Sequence, residues 1–181
     1  MEGMIRTFIA VELPDTFIPE IKRIGSAFNL PGLKPVEPGL VHITLKFLGD
    51  VSEDNIEPIA EALSQVKCAH FEALVKGVGV FPNISYIKVI WLGVEGDFGL
   101  LHNEVERVMV PFKFKKEHGF TPHATLARVK QVRDKAVLLE RLDELKDVNI
   151  GTFNVGSIQL KKSTLTPQGP IYETLKEIRL K

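Results

Sequence analysis

Two matching segments set the strongest constraint on this chain. HITLKFLGDV begins at His42 and HATLARVKQV begins at His123, and the two segments align without gaps at an offset of 81 residues. Each segment has the pattern of a short strand, a turn and an amphipathic helix. Such self-similarity at a fixed offset indicates an internal duplication, although the agreement weakens outside the first four residues.

Strands and helices alternate along the whole chain. Strands are predicted over residues 6–13, 41–48, 71–80, 86–92, 123–129, 148–155, 157–162 and 171–180. Helical spacing of apolar residues is found over residues 17–28, 56–66, 98–108 and 138–145. The segment Leu30–Gly39 is rich in proline and glycine and is predicted to be a loop. No linker divides the chain, which favours one α+β domain over residues 1–181.

Composition argues against several classes of protein. The 23 basic and 23 acidic side chains cancel, so the chain does not look like a protein that coats nucleic acid through a strongly positive surface. The single cysteine, Cys68, cannot form an intrachain disulfide, and a reducing cytoplasm is therefore the expected compartment. No stretch is long and apolar enough to cross a membrane, and neutral net charge without a heptad pattern favours a monomer.

The paired segments place the same chemistry on one face of two strands. Because side chains alternate along a strand, His42 and Thr44 are expected on one face and the apolar residues between and after them on the other. His123 and Thr125 repeat this pattern. One such pair alone would usually be an ordinary polar strip on an exposed strand, but two matched pairs favour a functional site.

An imidazole pair beside two hydroxyl groups suits the opening of a cyclic phosphodiester. One side chain must take a proton from water while another protonates the departing oxygen, and imidazole can do both near neutral pH. Threonine hydroxyl groups can donate hydrogen bonds to the non-bridging phosphate oxygens. The scheme needs no metal or other cofactor, and the carboxylates near the motifs do not form a ligand set.

The segments HITL at His42 and HATL at His123 resemble the 2H phosphoesterase superfamily, and the opening RTFIAVELP and the run HITLKFLGD support a narrower placement within it. The whole chain resembles its RNA 2′,3′-cyclic phosphodiesterase branch, whose members are also called 2′-5′ RNA ligases. This resemblance implies a bilobal, pseudo-two-fold α+β fold in which two antiparallel sheets form a cleft, with helices on the outer faces. It also implies hydrolysis of a 2′,3′-cyclic phosphate to a 2′-phosphate, with His42 as proton donor, His123 as proton acceptor, and Thr44 and Thr125 on the phosphate.

The partners that the resemblance implies are RNA ends or nucleotides with a 2′,3′-cyclic phosphate, tRNA fragments among them. Two other functions stay open: RNA end joining through a 2′-5′ linkage, and noncatalytic RNA binding. The sequence has no phosphate-binding loop of the ATP type, so joining would have to conserve the energy of the cyclic phosphate. Intact histidine and threonine in both segments weigh against noncatalytic binding, and hydrolysis is the favoured activity.

Four other side chains are candidates for the same site. Arg128 matches an arginine that is common after the second motif in the family and could bind phosphate. Strict alternation puts it on the opposite face from His123, but a bulge or its long stem could bring it round. Lys46 has the alternation of a cleft residue, but most lysines on strands are simply solvated. Phe81 could stack on a base or pack in the core. Tyr172 could reach the cleft, although an ordinary half-buried position is favoured.

Two further features of the sequence leave alternatives open. Basic residues outnumber acidic ones between Pro111 and Lys135, which indicates either a local anion-facing surface or an ordinary solvated segment. His70, His102 and His118 lack a threonine two residues later, so they are predicted to lie at the surface or to cap helices.

Overall fold

The predicted α+β class is confirmed by the computed structural model, which describes residues 3–181. Within these residues the strands are β1 (Met4–Glu12), β2 (Leu33–Pro35), β3 (His42–Ser52), β4 (Phe71–Asn83), β5 (Tyr86–Glu95), β6 (His123–Val129), β7 (Asn149–Val155), β8 (Ser157–Thr166) and β9 (Gly169–Arg179). The helices are α1 (Ile18–Ser26), α2 (Ile56–Leu63), α3 (Phe98–Met109) and α4 (Lys135–Leu145).

The strands form one curled antiparallel sheet with two halves. The order is β7-β4-β5-β6-β3-β1-β8-β9, and β2 lies beside β6. The two motif strands, β3 and β6, are joined through one pair of residues, Ile43 and Ala124, whereas the strands within each half pair over longer stretches. The sheet therefore divides into two four-stranded halves that meet at the motif strands. We call the surface between the motif faces of the two halves the cleft.

The internal duplication extends beyond the motifs into the connectivity. The first half runs β1-α1-β3-α2, apart from the short β2, and the second half runs β5-α3-β6-α4. In both halves the motif strand pairs antiparallel with the strand that precedes it in this unit. The hairpin β8-β9 then extends the first half, and β4 with β7 extends the second.

A β-bulge interrupts each motif strand at the same position. Opposite β1 the pairing of β3 skips Leu45, and opposite β5 the pairing of β6 skips Leu126, which lies 81 residues later. A bulge inserts one residue and thereby reverses the alternation that follows it. Beyond the bulges, Phe47 and Arg128 therefore return to the face of the motif histidines and threonines, and both side chains are exposed.

The segment Leu30–Gly39, predicted to be a loop, contains the short strand β2, so that prediction was wrong in part. Leu33–Pro35 pairs with the end of β6, where β3 has diverged from it. Gly32 makes this approach feasible, since its φ is +87° and an added Cβ would lie 2.0 Å from the carbonyl oxygen of Gln131. Gly32 therefore marks a close contact between two backbones, which is a common role of glycine next to strands.

One hydrophobic cluster lies between the sheet and the helices and extends across both halves. Ile43 and Leu45 from β3, and Ala124 and Leu126 from β6, are buried in it, so the motif side chains between them must face the cleft. Burying one such leucine contributes about 1.5–3 kcal/mol, which strongly fixes the register of each motif strand. The expectation of a single bilobal domain over residues 1–181 stays a prediction.

Candidate active site

The two motif histidines are held by the same backbone contact. Nδ1 of His42 lies 2.8 Å from the carbonyl oxygen of Leu40, and Nδ1 of His123 lies 2.8 Å from the carbonyl oxygen of Thr121. A carbonyl oxygen only accepts hydrogen bonds, so Nδ1 carries the proton and donates it in both rings. In the neutral tautomer, Nε2 of each histidine is consequently a hydrogen-bond acceptor.

The junction between β3 and β6 brings the two motifs together. An antiparallel register through Ile43 and Ala124 sets His42 level with Thr125, and Thr44 level with His123. The two imidazoles are near enough for the charge of His123 to lower the pKa of His42. All four motif side chains are half-buried, which leaves them accessible from the cleft.

The hydroxyl group of Thr44 forms a hydrogen bond with His42. Its Oγ1 lies 2.9 Å from Nε2 of His42, and because that nitrogen is the acceptor in the neutral ring, Thr44 donates. On protonation of His42 this hydrogen bond reverses its direction, which frees the hydroxyl proton for another acceptor.

An aromatic ring stands edge-on to each imidazole. Tyr172 lies 5.4 Å from His42 between ring centroids at an interplanar angle of 88°, and Phe81 lies 4.9 Å from His123 at 90°. Edge-to-face packing of this kind fixes the orientation of a ring while contributing about 0.5–1.5 kcal/mol. Phe8 adds a third ring 5.1 Å from His42.

The surroundings of the two histidines differ in burial and charge. Burial is the largest influence on His42 and lowers its pKa below the usual value, while the hydrogen bond to Leu40 opposes the shift. Among the charged groups, Lys161 lowers this pKa and Glu12, which faces His42 across the strand pair, raises it. In the second half the position opposite His123 is Gly93, so no carboxylate occupies the equivalent place.

Arg128 points into the cleft because of the bulge at Leu126. Its positive charge acts to lower the pKa of Tyr172, although burial is the larger effect and raises that pKa. Tyr172 belongs to β9 in the other half, so Arg128 lies within electrostatic reach of the ring that contacts His42. Within residues 3–181, its guanidinium forms no ion pair that would compete with a bound anion.

Comparison with known proteins agrees with this geometry. A family model described as "LigT like Phosphoesterase" matches residues 11–91 and 94–172, two segments that each contain one motif. The chain belongs to the LigT-like phosphoesterase family. The predicted resemblance to 2H phosphoesterases is thereby confirmed.

Several known proteins are similar to this chain over most of its length. The protein named RNA 2′,3′-cyclic phosphodiesterase of Methanocaldococcus jannaschii is 38% identical over 174 residues, which are 96% of this chain and 99% of the relative. The protein of the same name from Aeropyrum pernix is 42% identical over 151 residues, 81% of this chain and 86% of the relative. The crystal structure of TT0787 of Thermus thermophilus matches with a TM-score of 0.81 at 28% identity and covers 97% of both chains.

The prediction that Lys46 has the alternation of a cleft residue was wrong. The bulge at Leu45 turns Lys46 away from the cleft, and its side chain is 1% exposed. Its Nζ donates to Oε1 of Glu106 at 2.7 Å and to the carbonyl oxygen of Lys115 at 2.8 Å. Lys46 thus ties β3 to α3 and to the segment that leads into β6.

Two aromatic candidates lie at the cleft. Tyr172 is not merely a half-buried strand residue, since its ring contacts His42 in the cleft. Phe81 is half-buried beside His123 and Trp91, so it lies at the cleft rather than in the closed core. Sequence reasoning missed Phe47, which is 58% exposed on the motif face. A signal was available, because the offset of 81 residues pairs Phe47 with Arg128.

His102 is buried, contrary to the surface or capping position predicted for it. It is 4% exposed on the core side of α3, and its ring stacks on Phe120 at 4.0 Å. Within the described residues 3–181, the one group that could hold a metal ion is His102 with Glu106 and Glu117, whose ligand atoms lie within 4.8 Å of one another. The ammonium group of Lys46 already neutralises Glu106, which disfavours a second cation there. His70 and His118 are exposed, as predicted.

Among residues 3–181, none of the helices combines the length with the apolar character that crossing a bilayer requires.

Proposed function

We propose that this enzyme hydrolyses terminal 2′,3′-cyclic phosphates of RNA to 2′-phosphates, with His42 and His123 as its acid–base pair. The observation that carries the proposal is the repeated arrangement of an imidazole, held through Nδ1, and a threonine hydroxyl on two strands that meet at one point. The names of the relatives from Methanocaldococcus jannaschii and Aeropyrum pernix support the substrate.

In the proposed reaction, water attacks phosphorus on one side of the ring while the 3′ oxygen departs on the other. His123 takes the proton of the water as the oxygen–phosphorus bond forms, and His42 gives a proton to the 3′ oxygen as its bond to phosphorus breaks. The product carries a 2′-phosphate and a free 3′-hydroxyl group. The two roles follow the family resemblance, and the next turnover requires the proton to return from His123 to His42 through solvent.

Substrate binding supplies the protonation state that His42 needs. In the free protein, burial lowers the pKa of His42 and favours the neutral ring. The negative charge of a phosphodiester beside Nε2 favours the charged ring instead. Protonation also reverses the hydrogen bond with Thr44, whose hydroxyl group can then donate to a non-bridging oxygen.

The remaining phosphate and base contacts come from four side chains. Thr44 and Thr125 donate to the non-bridging oxygens, and Arg128 binds the same oxygens through its planar pair of N–H groups. Phe81 offers an aromatic surface next to His123 for the terminal base.

Incubation of an oligoribonucleotide that ends in a 2′,3′-cyclic phosphate, in excess chelator, tests this proposal. We expect complete conversion to the 2′-phosphate, identified by chromatography against 2′- and 3′-phosphate standards. A 3′-phosphate product would contradict the assigned leaving group, and turnover that depends on added divalent metal would contradict the metal-free mechanism. A joined product in the presence of a 5′-hydroxyl RNA would favour 2′-5′ ligation.

Several finer expectations stay predictions. They are a cytoplasmic location, a monomeric state, tRNA fragments as physiological substrates, and a reaction without a metal or other cofactor.

A further inference from the structure

Basic side chains continue the line of the motif along β6. Beyond His123 and Thr125, Arg128 faces the cleft, and the exposed Lys130 follows directly after the end of β6. The backbone N–H of Lys130 donates to the carbonyl oxygen of Gly32 at 2.8 Å, which continues the contact of β6 with the segment around β2. Lys34 lies directly opposite Arg128 on β2. Positive charges that face each other across a strand pair destabilise a sheet, and an anion between them removes this cost.

This row of basic side chains ends at a pocket beside the tip of the β4–β5 hairpin. Lys88, Lys130 and Lys135 line it, and none of its lining residues is acidic. Tyr86 also lines the pocket and is 59% exposed, and Nζ of Lys88 lies 4.8 Å above the centre of its ring. In the part of the chain that the structure describes, none of these three lysines forms an ion pair.

The distance from the motif to the pocket limits what the pocket can bind. At about 3.3 Å per residue, with one residue taken up by the bulge, Lys130 just beyond the end of β6 lies roughly 20 Å from His123. One nucleotide with its phosphate at the motif cannot span this distance, but a strand of several nucleotides can. Three cations beside an exposed aromatic ring form the combination that binds unpaired nucleic acid, with phosphates on the cations and a base on the ring.

We propose that the pocket lined by Tyr86, Lys88, Lys130 and Lys135 binds the single-stranded RNA several nucleotides upstream of the cyclic phosphate end. This inference rests on the proposed function and assigns its preferred substrate: oligoribonucleotides rather than nucleoside cyclic phosphates. Lys34, opposite Arg128 on β2, lies between the reacting phosphate and the pocket and contacts the intervening phosphates.

A triple variant, Lys88→Gln/Lys130→Gln/Lys135→Gln, tests the inference by comparing a hexaribonucleotide 2′,3′-cyclic phosphate with cytidine 2′,3′-cyclic phosphate. We expect KM for the hexamer to rise about tenfold, and the slope of log(kcat/KM) against log salt to fall by about 2, because about 0.7 of a counterion is released per neutralised phosphate of a single strand. Kinetics on the cytidine compound should stay within about twofold of wild type, since it does not reach the pocket. The matched control changes Lys22, Lys67 and Lys181, which are also exposed, to glutamine.

A second variant separates stacking from charge. Tyr86→Ala should raise KM for the hexamer by about fivefold or more through the loss of one stacked base, and it should leave the salt slope unchanged. Hexamer kinetics of both variants equal to those of the control would overturn the inference, while turnover of the cytidine compound by the wild type would leave the proposed function intact.

Direct binding distinguishes failure of the pocket from failure of the enzyme. Fluorescence anisotropy with a labelled hexamer that ends in a stable 3′-phosphate reports on the pocket without any reaction. Binding about tenfold weaker in the triple variant than in the control supports the pocket even if no cyclic phosphate is hydrolysed. Equal binding by the two variants overturns it.

Discussion

The two catalytic candidates share one backbone arrangement but have different environments. Both histidines donate from Nδ1 to the carbonyl group two residues earlier, which fixes the ring and directs Nε2 to the cleft. The hydrogen bond of His42 to the backbone is partly buried and that of His123 is exposed, and Glu12 faces His42 whereas Gly93 faces His123. The two motif sequences do not reveal this difference in environment. It gives a physical basis for different roles of the two imidazoles.

The protonation of His42 should respond to a bound phosphate. Because burial disfavours the charged ring, we expect the free protein to show a His42 titration midpoint below the usual imidazole value of about 6.5. A nucleoside 2′-phosphate, the product class, should raise the midpoint by adding a negative charge beside Nε2. NMR titration of the imidazole Cε1–H signals measures both values, with His42→Gln identifying the signal. A midpoint at or above the usual value in the free protein would contradict this account.

Arg128 should contribute to catalysis through its planar guanidinium. Arg128→Ala is expected to lower kcat/KM for a 2′,3′-cyclic phosphate by about a hundredfold, the scale of losing a transition-state donor. Arg128→Lys should recover only part of this loss, because an ammonium group does not bind two oxygens side by side. Arg133→Ala, which removes another arginine at the surface, serves as the control and should behave like wild type. An unchanged kcat/KM in Arg128→Ala would remove Arg128 from the site.

At the level of single elements, the paired bulges decide which side chains enter the cleft. Period-two alternation correctly placed His42, Thr44 and their counterparts, because those residues precede the bulge and their apolar neighbours fix the register. It failed for Lys46, which is buried, and it put Arg128 on the wrong face. A bulge depends on how two strands pair, and one strand's sequence does not encode it.

Other elements were predictable to different degrees for similar reasons. The helices and long strands have strong apolar periodicity, and β6 begins and ends where the sequence predicts. The strand β2 was missed because its three residues stand beside glycine and proline, which usually indicate a loop. The contact of Tyr172 with His42 depends on β8 lying next to β1, a long-range pairing that local sequence does not specify.

The buried link from β3 to α3 should be important for folding rather than for chemistry. Lys46→Ala leaves Glu106 without its partner and should lower the free energy of unfolding by about 3 kcal/mol. Urea denaturation measures this change. The double variant Lys46→Met/Glu106→Gln, which removes both charges of the pair, should recover most of the loss.

Lys115→Ala is the matched control, because Lys46 contacts only the carbonyl oxygen of that residue. It should unfold at the same urea concentration as wild type. If Lys46→Ala were as stable as this control, the ion pair would not be part of what holds the segment before β6 in place.

At the scale of the whole molecule, duplication explains how one short motif makes a two-sided site. Each half provides an imidazole, a hydroxyl group and an edge-on aromatic ring, and the halves meet through Ile43 and Ala124. A reaction at phosphorus needs a base on one side and an acid on the other, which two facing copies supply. The basic residues from Arg128 to the hairpin pocket make the two ends of the cleft different. Bound RNA would therefore run in one direction from the motifs to the pocket.

Hydrolysis of cytidine 2′,3′-cyclic phosphate by His42→Ala and His123→Ala tests the central claim most directly. We expect each variant to lose about a hundredfold or more in kcat, the scale of general acid–base catalysis, while circular dichroism shows a folded protein. His70→Ala, which alters an exposed histidine bonded to Asn154, should retain full activity. Activity within a few-fold of wild type in either motif variant would contradict the account.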